Sequence, residues 1–207
     1  MYPSCNVTEY LNQDFANKEK VIVSFAQFRP EKRHWLQIEA FSKFIEKAGA
    51  NLKQTKFVII GSAKDKLSLD IVADLRNMIT GYGLDTLVDI QMNQSMDYVK
   101  SVFKKACVGI HTMQDEHFGI SIVEMLSAGM VVIAHNSAGP RYDILRSGKG
   151  GVKRVYGVLA EDSDDFADKL IVEMEKFVDG ESRKEQVRMI ENGQRNCIDK
   201  FSNEKFF

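Results

Sequence analysis

The sequence predicts an α/β domain built on a doubly wound, parallel sheet of about six strands. Two observations carry this reading. Short β-branched, apolar runs recur along the chain with helical patterns between them, and the runs are too apolar to leave one face in water. At 207 residues the chain is long enough for one domain with a full core.

In chain order the strands are "VIVSF" at 21–25, "FVII" at 57–60, "LVDI" at 87–90, "CVGI" at 107–110, "VVIA" at 131–134 and "YGVLA" at 156–160. After the first strand, Trp35, Ile38, Phe41, Ile45 and Ala48 fall three or four apart and predict one buried helical stripe. After the second, Leu67, Ile71, Leu75 and Ile79 predict another. Further helices are predicted at Met96–Ala106, Ser121–Ala128, Pro140–Arg146, Asp164–Val178 and Glu181–Phe201. The division expected is a polar interdomain or linker segment over 1–20, then one domain over 21–207 that includes the carboxyl-terminal helices.

Composition removes several classes. Lys and Arg number 28 against 29 for Asp and Glu, a balance that gives no electrostatic case for nucleic-acid binding, so any anion site is local. Cys5, Cys107 and Cys197 are far apart with no C-x-x-C pair, which predicts reduced thiols rather than disulfides or a zinc site. No apolar run approaches the ~20 residues of a membrane span, so the chain is expected to be soluble. "DSD" at 162–164 precedes a helix and reads as an acidic cap before it reads as a metal site. "SGKGG" at 147–151 lacks the Ser or Thr of a phosphate loop and reads as a turn. His34, His111, His117 and His135 form no ligand pair on one helix; His111 and His135 end strands at the crevice, where they are candidates to line a pocket. No metal is expected.

Open α/β sheets bind ligands at the carboxyl ends of their strands. There the chain carries "EHFGISIVE" at 116–124, a loop running into a helix. Free amides at Phe118, Gly119, Ile120 and Ser121 suit a diphosphate or a sugar hydroxyl, and Gly119 lets the backbone come close. Glu116 and Glu124 are candidate acceptors for paired hydroxyls. Ser121-x-x-Glu124 reads equally as a capping box, with Glu124 in the first helical turn. Glu116 has no capping duty and is expected to carry no load in the fold. In "FAQFRPEKRHWLQIEAF", Arg29 and Lys32 precede a helix, where they would neutralise an anion across the crevice from Glu124.

Taken together, "FRPEK", "HTMQDEHFGISIVE" and "AHNSAGP" resemble the carboxyl-terminal, nucleotide-sugar-binding half of retaining GT-B glycosyltransferases. Within them they are most similar to the dolichol-pathway α-1,2-mannosyltransferases of asparagine-linked glycosylation, which use GDP-mannose on the cytosolic face of the endoplasmic reticulum. "YPSCN" is similar to the interdomain segment of that subgroup. The resemblance implies a Rossmann-like domain with Glu116 as the catalytic-site glutamate near the hexose and Glu124 on the ribose. It implies donor contacts from His117, Phe118, Gly119, Ile120 and Lys32, and from Arg29 although most of the family has its arginine where this chain has Gln27. It further implies no metal or other cofactor, and an acceptor, a lipid-linked oligosaccharide, held by a second domain that six strands do not supply. Membrane contact is then expected only through the larger protein, and the isolated domain is expected to be inactive alone. The alternatives are a non-catalytic nucleotide-sugar-binding module, or a retaining transferase of other sugar and linkage specificity.

Overall fold

A computed structural model describes residues 5, 7–12, 14–147 and 154–202. Its centre is a six-stranded sheet in the order β3-β2-β1-β4-β5-β8, parallel throughout. The strands are β1 Glu19–Phe25, β2 Lys56–Gly61, β3 Val88–Met92, β4 Ala106–His111, β5 Val131–His135 and β8 Val158–Ala160. All six expected strands are present. A two-stranded antiparallel ribbon, β6 Arg146–Ser147 and β7 Arg154–Val155, stands apart from them.

Both faces of the sheet are covered, as the apolar runs require. Ile22 and Ile59 point into a layer formed with α2 (His34–Lys47), α3 (Lys66–Gly81) and α6 (Ser163–Val178). Their neighbours Val23 and Ile60 point the other way, onto α4 (Met96–Lys105), α5 (Ile120–Ser127) and α7 (Gly180–Phe201). Helix starts follow the sequence chemistry. Asp162 accepts from the Asp165 amide at 2.9 Å, so the acidic triplet is a cap, and no cluster of metal-binding side chains occurs among the described residues.

Three helical expectations need correction. Trp35 is 44 % exposed, because the buried face of α2 begins with His34 and Gln37; Gln37 is drawn inward by its 2.9 Å hydrogen bond to Thr112. Leu67 is 55 % exposed, its place in the first turn of α3 taken by Ser68, which closes a capping box with Asp65. Pro140–Arg146 is not an α-helix. A wider π-turn runs over Pro140–Ile144, closed by the Leu145 amide on the Pro140 carbonyl at 3.0 Å, and the chain then leaves as β6. The expected turn at 147–151 lies, from residue 148 on, outside the described residues.

The described part of the segment before β1 packs on the domain. Its short helix α1 (Val7–Tyr10) buries Val7 and Tyr10, and the Cys5 amide donates to Phe201 at the end of α7. The buried ammonium of Lys18 donates to the Phe103 carbonyl at 2.8 Å and the Ala128 carbonyl at 2.7 Å, tying together the ends of α4 and α5. All three cysteines are buried thiols outside any disulfide, and burial pushes them up to between about 11 and about 12, out of the reactive range. No helix among the described residues is long and apolar enough to cross a membrane.

Lys18→Met keeps the apolar stem and removes the ammonium, leaving two helix-end carbonyls unanswered. Such charge-assisted bonds contribute about 1–3 kcal/mol, so the melting temperature is expected to fall by several degrees. Thermal denaturation followed by circular dichroism checks this; an unchanged midpoint would contradict the clamp.

Candidate functional site

The carboxyl ends of β1, β2 and β4, with the loop after β3, open onto a cavity of about 650 Å³. One wall is apolar and comes from Phe25, Ile60, Met96 and Val99. The opposite wall is polar: Lys32, Glu116, the backbone of 117–121 and Glu124. Asn93 and Gln94 close one end. Asn93 has a φ of 54° and grips both the amide and the carbonyl of Ala63, at 3.0 and 2.9 Å, so β3 and the loop after β2 are locked together.

The loop carrying Glu116 lies on a bed made by "HNSAGP", residues 135–140. The Asp115 amide donates to Ser137 Oγ at 2.8 Å, and the Gly139 amide donates to the Glu116 carbonyl at 2.9 Å. A Cβ at Gly139 would lie 2.6 Å from the His117 carbonyl oxygen and 2.7 Å from that of Phe118, so only glycine permits this stacking. Gly119, at a φ of 98°, turns the chain into α5. Ile120 and Ser121 then present first-turn amides at the cavity with the positive end of the helix dipole behind them.

Glu116 is held on one side. Lys32 Nζ lies 2.7 Å from its Oε2, and His111 Nε2 lies 3.2 Å from the same oxygen. These partners, with His111 first in effect, hold the carboxyl down to about 2, so it is ionised at neutral pH. Burial lowers His111, which is therefore neutral and donates to the carboxylate from Nε2. Glu116 is thus not idle in the fold, contrary to the sequence expectation.

Glu124 sits in the opposite environment. Burial pushes its carboxyl up to about 7 against the lowering effect of a hydrogen bond with Tyr10 of α1. It lies one turn too far along to cap anything. Gly119 is the N-cap, α5 has no acidic residue in its first turn, and the capping-box reading of Ser121 and Glu124 falls.

Of the residues expected at the site, Lys32, Glu116, His117, Phe118, Gly119, Ile120 and Glu124 all line the cavity. His117 and Ile120 are exposed, while the Phe118 ring packs edge-on against Phe201 at 5.1 Å. Lys32 lies beside Glu116, and it lines the same cavity as Glu124. Arg29 does not line the cavity. Its Nε donates to Gln27 Oε1 at 2.9 Å in an adjoining depression of about 140 Å³, and Gln27 borders both spaces. His111 and His135 do not line the cavity either; each stands behind the loop and supports it. Sequence reasoning missed Phe25, Asn93, Met96, Val99 and Tyr10. Only Asn93 offers a local signal, as an asparagine directly after a strand where left-handed backbone is tolerated.

The Glu124 environment fixes a pH dependence. Its pKa is raised above the ordinary 4.5 to about 7, so the folded chain holds a proton that the unfolded chain releases. The group therefore lowers stability progressively from about pH 4.5 to 7, and fully above that. Glu124→Gln should melt higher than the parent at about pH 8 by a few degrees, with the gap closing toward about pH 5. Calorimetric melts at the two pH values check this, and a lower midpoint at the higher pH would refute it.

Comparison with known proteins bears on the family and the fold. A family model for glycosyl transferases group 1 matches residues 9–196. An alpha-1,2-mannosyltransferase of Mus musculus, named for GDP-Man and Man(3)GlcNAc(2)-PP-Dol, is 36 % identical over 211 residues, covering 100 % of this chain and 41 % of its own. Its Homo sapiens namesake is 37 % identical over 173 residues, covering 81 % and 35 %. Among solved structures, Anabaena HepE in complex with UDP and glucose superimposes with a TM-score of 0.78 at 19 % identity, over 100 % of this chain and 55 % of that one. The C-terminal domain of the Francisella tularensis group 1 protein LpcC superimposes with a TM-score of 0.70 at 22 % identity, over 98 % and 96 %. The chain thus spans less than half the length of these mannosyltransferases. With a Rossmann-like parallel sheet, a cavity at its switch point and a family match over nearly its whole length, the chain belongs to the group 1 glycosyltransferases.

Proposed function

We propose that this chain is the nucleotide-sugar-binding domain of a retaining mannosyltransferase that moves mannose from GDP-mannose to a dolichol-linked oligosaccharide through an α-1,2 linkage. The observation that carries the proposal is the cavity's polar wall. Lys32 and Glu116 stand as an ion pair at one end, Glu124 lies on the far side, and the first amides of α5 run between them. The mannose and guanine preferences rest on the relatives' names.

In this reading Lys32 and the amides of Ile120 and Ser121 take the diphosphate. Lys32 has three N–H groups; pairing with Glu116 occupies one and contact with Met113 Sδ, at 3.0 Å, another, which leaves one for phosphate. Glu116 accepts from a mannose hydroxyl, and Glu124 from the ribose. The apolar wall of Phe25, Met96 and Val99 accommodates the base. The bond between the anomeric carbon and the diphosphate breaks as the acceptor oxygen bonds on the same face, and the acceptor proton passes to the departing diphosphate. Cations and helix amides stabilise that leaving charge, so no metal is required. Arg29 contributes to the field through Gln27 rather than by contact. The acceptor is held by the remainder of the longer protein, at the cytosolic face of the endoplasmic reticulum, and this domain alone does not turn over.

Titration calorimetry with GDP, UDP and GDP-mannose tests the reading. GDP should bind more tightly than UDP, and Lys32→Ala should weaken GDP by roughly tenfold or more, the loss of one charge-assisted bond. Equal or tighter binding of UDP would move the assignment to another sugar nucleotide. Full-length protein should transfer mannose in the presence of a chelator, and Glu116→Ala should abolish transfer; wild-type turnover by that variant would overturn the role given to Glu116, and absence of transfer by the full-length parent would leave a non-catalytic binding module.

A further inference from the structure

Both partners of Glu116 touch the same oxygen, Oε2: Lys32 at 2.7 Å and His111 at 3.2 Å. Oε1 is the oxygen left to accept from a ligand. The two partners differ in kind. Lys32 is a charged, 20 % exposed side chain at the end of a single 3-10 turn, lines the cavity and is free to attract an anion there. His111 is 3 % exposed, lies outside the cavity lining and ends β4, where its register with Ala134 of β5 is set by the sheet. The next residue, Thr112, is fixed by Gln37 and by the carbonyls of Lys32 and Arg33, at 2.9, 2.8 and 3.1 Å.

We infer that His111 is a positioning residue: donating from Nε2 to Glu116 Oε2, it holds the carboxylate in place while Lys32 shares its ammonium between Glu116 and the diphosphate, so that Oε1 stays aimed at the hexose. This rests on the proposed function, which assigns the hexose to Glu116. A buried neutral imidazole suits the task. It offers one directional N–H, cannot be drawn away by a phosphate, and introduces no charge that would compete with Lys32 for the anion. The charged and titratable groups facing the pair are Lys32 on Glu116 and, on His111, Lys32 and His34, the last buried and held down to about 3, hence neutral.

The test compares the chain with His111→Gln, whose amide places an N–H near the imidazole Nε2, and His111→Leu, which removes the donor. Side-chain carboxyl NMR without ligand, with Glu116 assigned by Glu116→Gln, reads its titration. The Glu116 midpoint should stay low in the parent and in His111→Gln, and rise in His111→Leu, where only the Lys32 pairing remains. Calorimetry should then give a GDP affinity within about twofold of the parent in both variants, while the preference for GDP-mannose over GDP falls roughly tenfold in His111→Leu and is restored in His111→Gln. An unchanged titration, or an unchanged preference, in His111→Leu would overturn the inference. If that variant does not fold, the ring 15N–1H signals of the parent decide. A His111 Nε2–H resonance that shifts in Glu116→Gln supports the link, and an unprotonated Nε2 or an unmoved resonance overturns it. Absence of any nucleotide binding by the parent would sink the proposed function instead, and the ligand-free titration would still judge the His111–Glu116 link.

Discussion

The structure depends on a reversal of winding between β1 and β4. The sheet order is β3-β2-β1-β4-β5-β8, so from β1 the chain steps outward through β2 and β3, then returns across the sheet to pair β4 against β1. Right-handed crossovers place the first connections on one face and the later ones on the other. The loops leaving the neighbouring ends of β1 and β4 therefore diverge, and a crevice opens between them that neither can fill. Lys32 arrives from one loop and Glu116 from the other, and they meet as an ion pair because the topology brings their strands side by side.

The two glutamates show how completely surroundings decide the state of one functional group. Glu116 keeps a cation and an imidazole N–H, and its carboxyl sits at about 2. Glu124, eight residues on, faces burial with only a phenol for compensation, and sits at about 7. One is a fixed anion; the other exchanges its proton near neutrality. Their spacing in sequence conveys none of this difference. It arises from which element reaches over each: the loop after β1 in the first case, the helix ahead of β1 in the second.

Much of the fold was legible. Six apolar runs became six strands, because runs so short, rich in β-branched residues and separated by helical patterns, suit a covered parallel sheet. The errors fell where polar side chains took buried positions, as with His34 and Gln37 displacing Trp35, or where a proline started a turn wider than an α-helix. At the site, Gly119, the neighbouring amides and the two glutamates were readable from a short motif with local backbone needs, and Lys32 from its charge after a strand, while His117 came from the family resemblance alone. Arg29 borders the adjoining depression, with its guanidinium on Gln27, an outcome set by the path of an irregular loop. Tyr10 owes its role to Glu124, far along the chain, while His111 and His135 act through residues five and two positions on, within an irregular loop whose path no local pattern encodes.

One feature far from the cavity bears on how it can move. The ammonium of Lys18 grips the last turn of α4 and the end of α5 at once, while Met96 and Val99 of α4 and Ile120, Ser121 and Glu124 of α5 line the cavity from the other ends of the same helices. Two rods pinned together at one end cannot slide past each other without breaking the pin. Sliding of one wall along the other thus costs this clamp, and tightening around a ligand is left to pivoting about it, to the loop after β1 and to side chains such as Lys32.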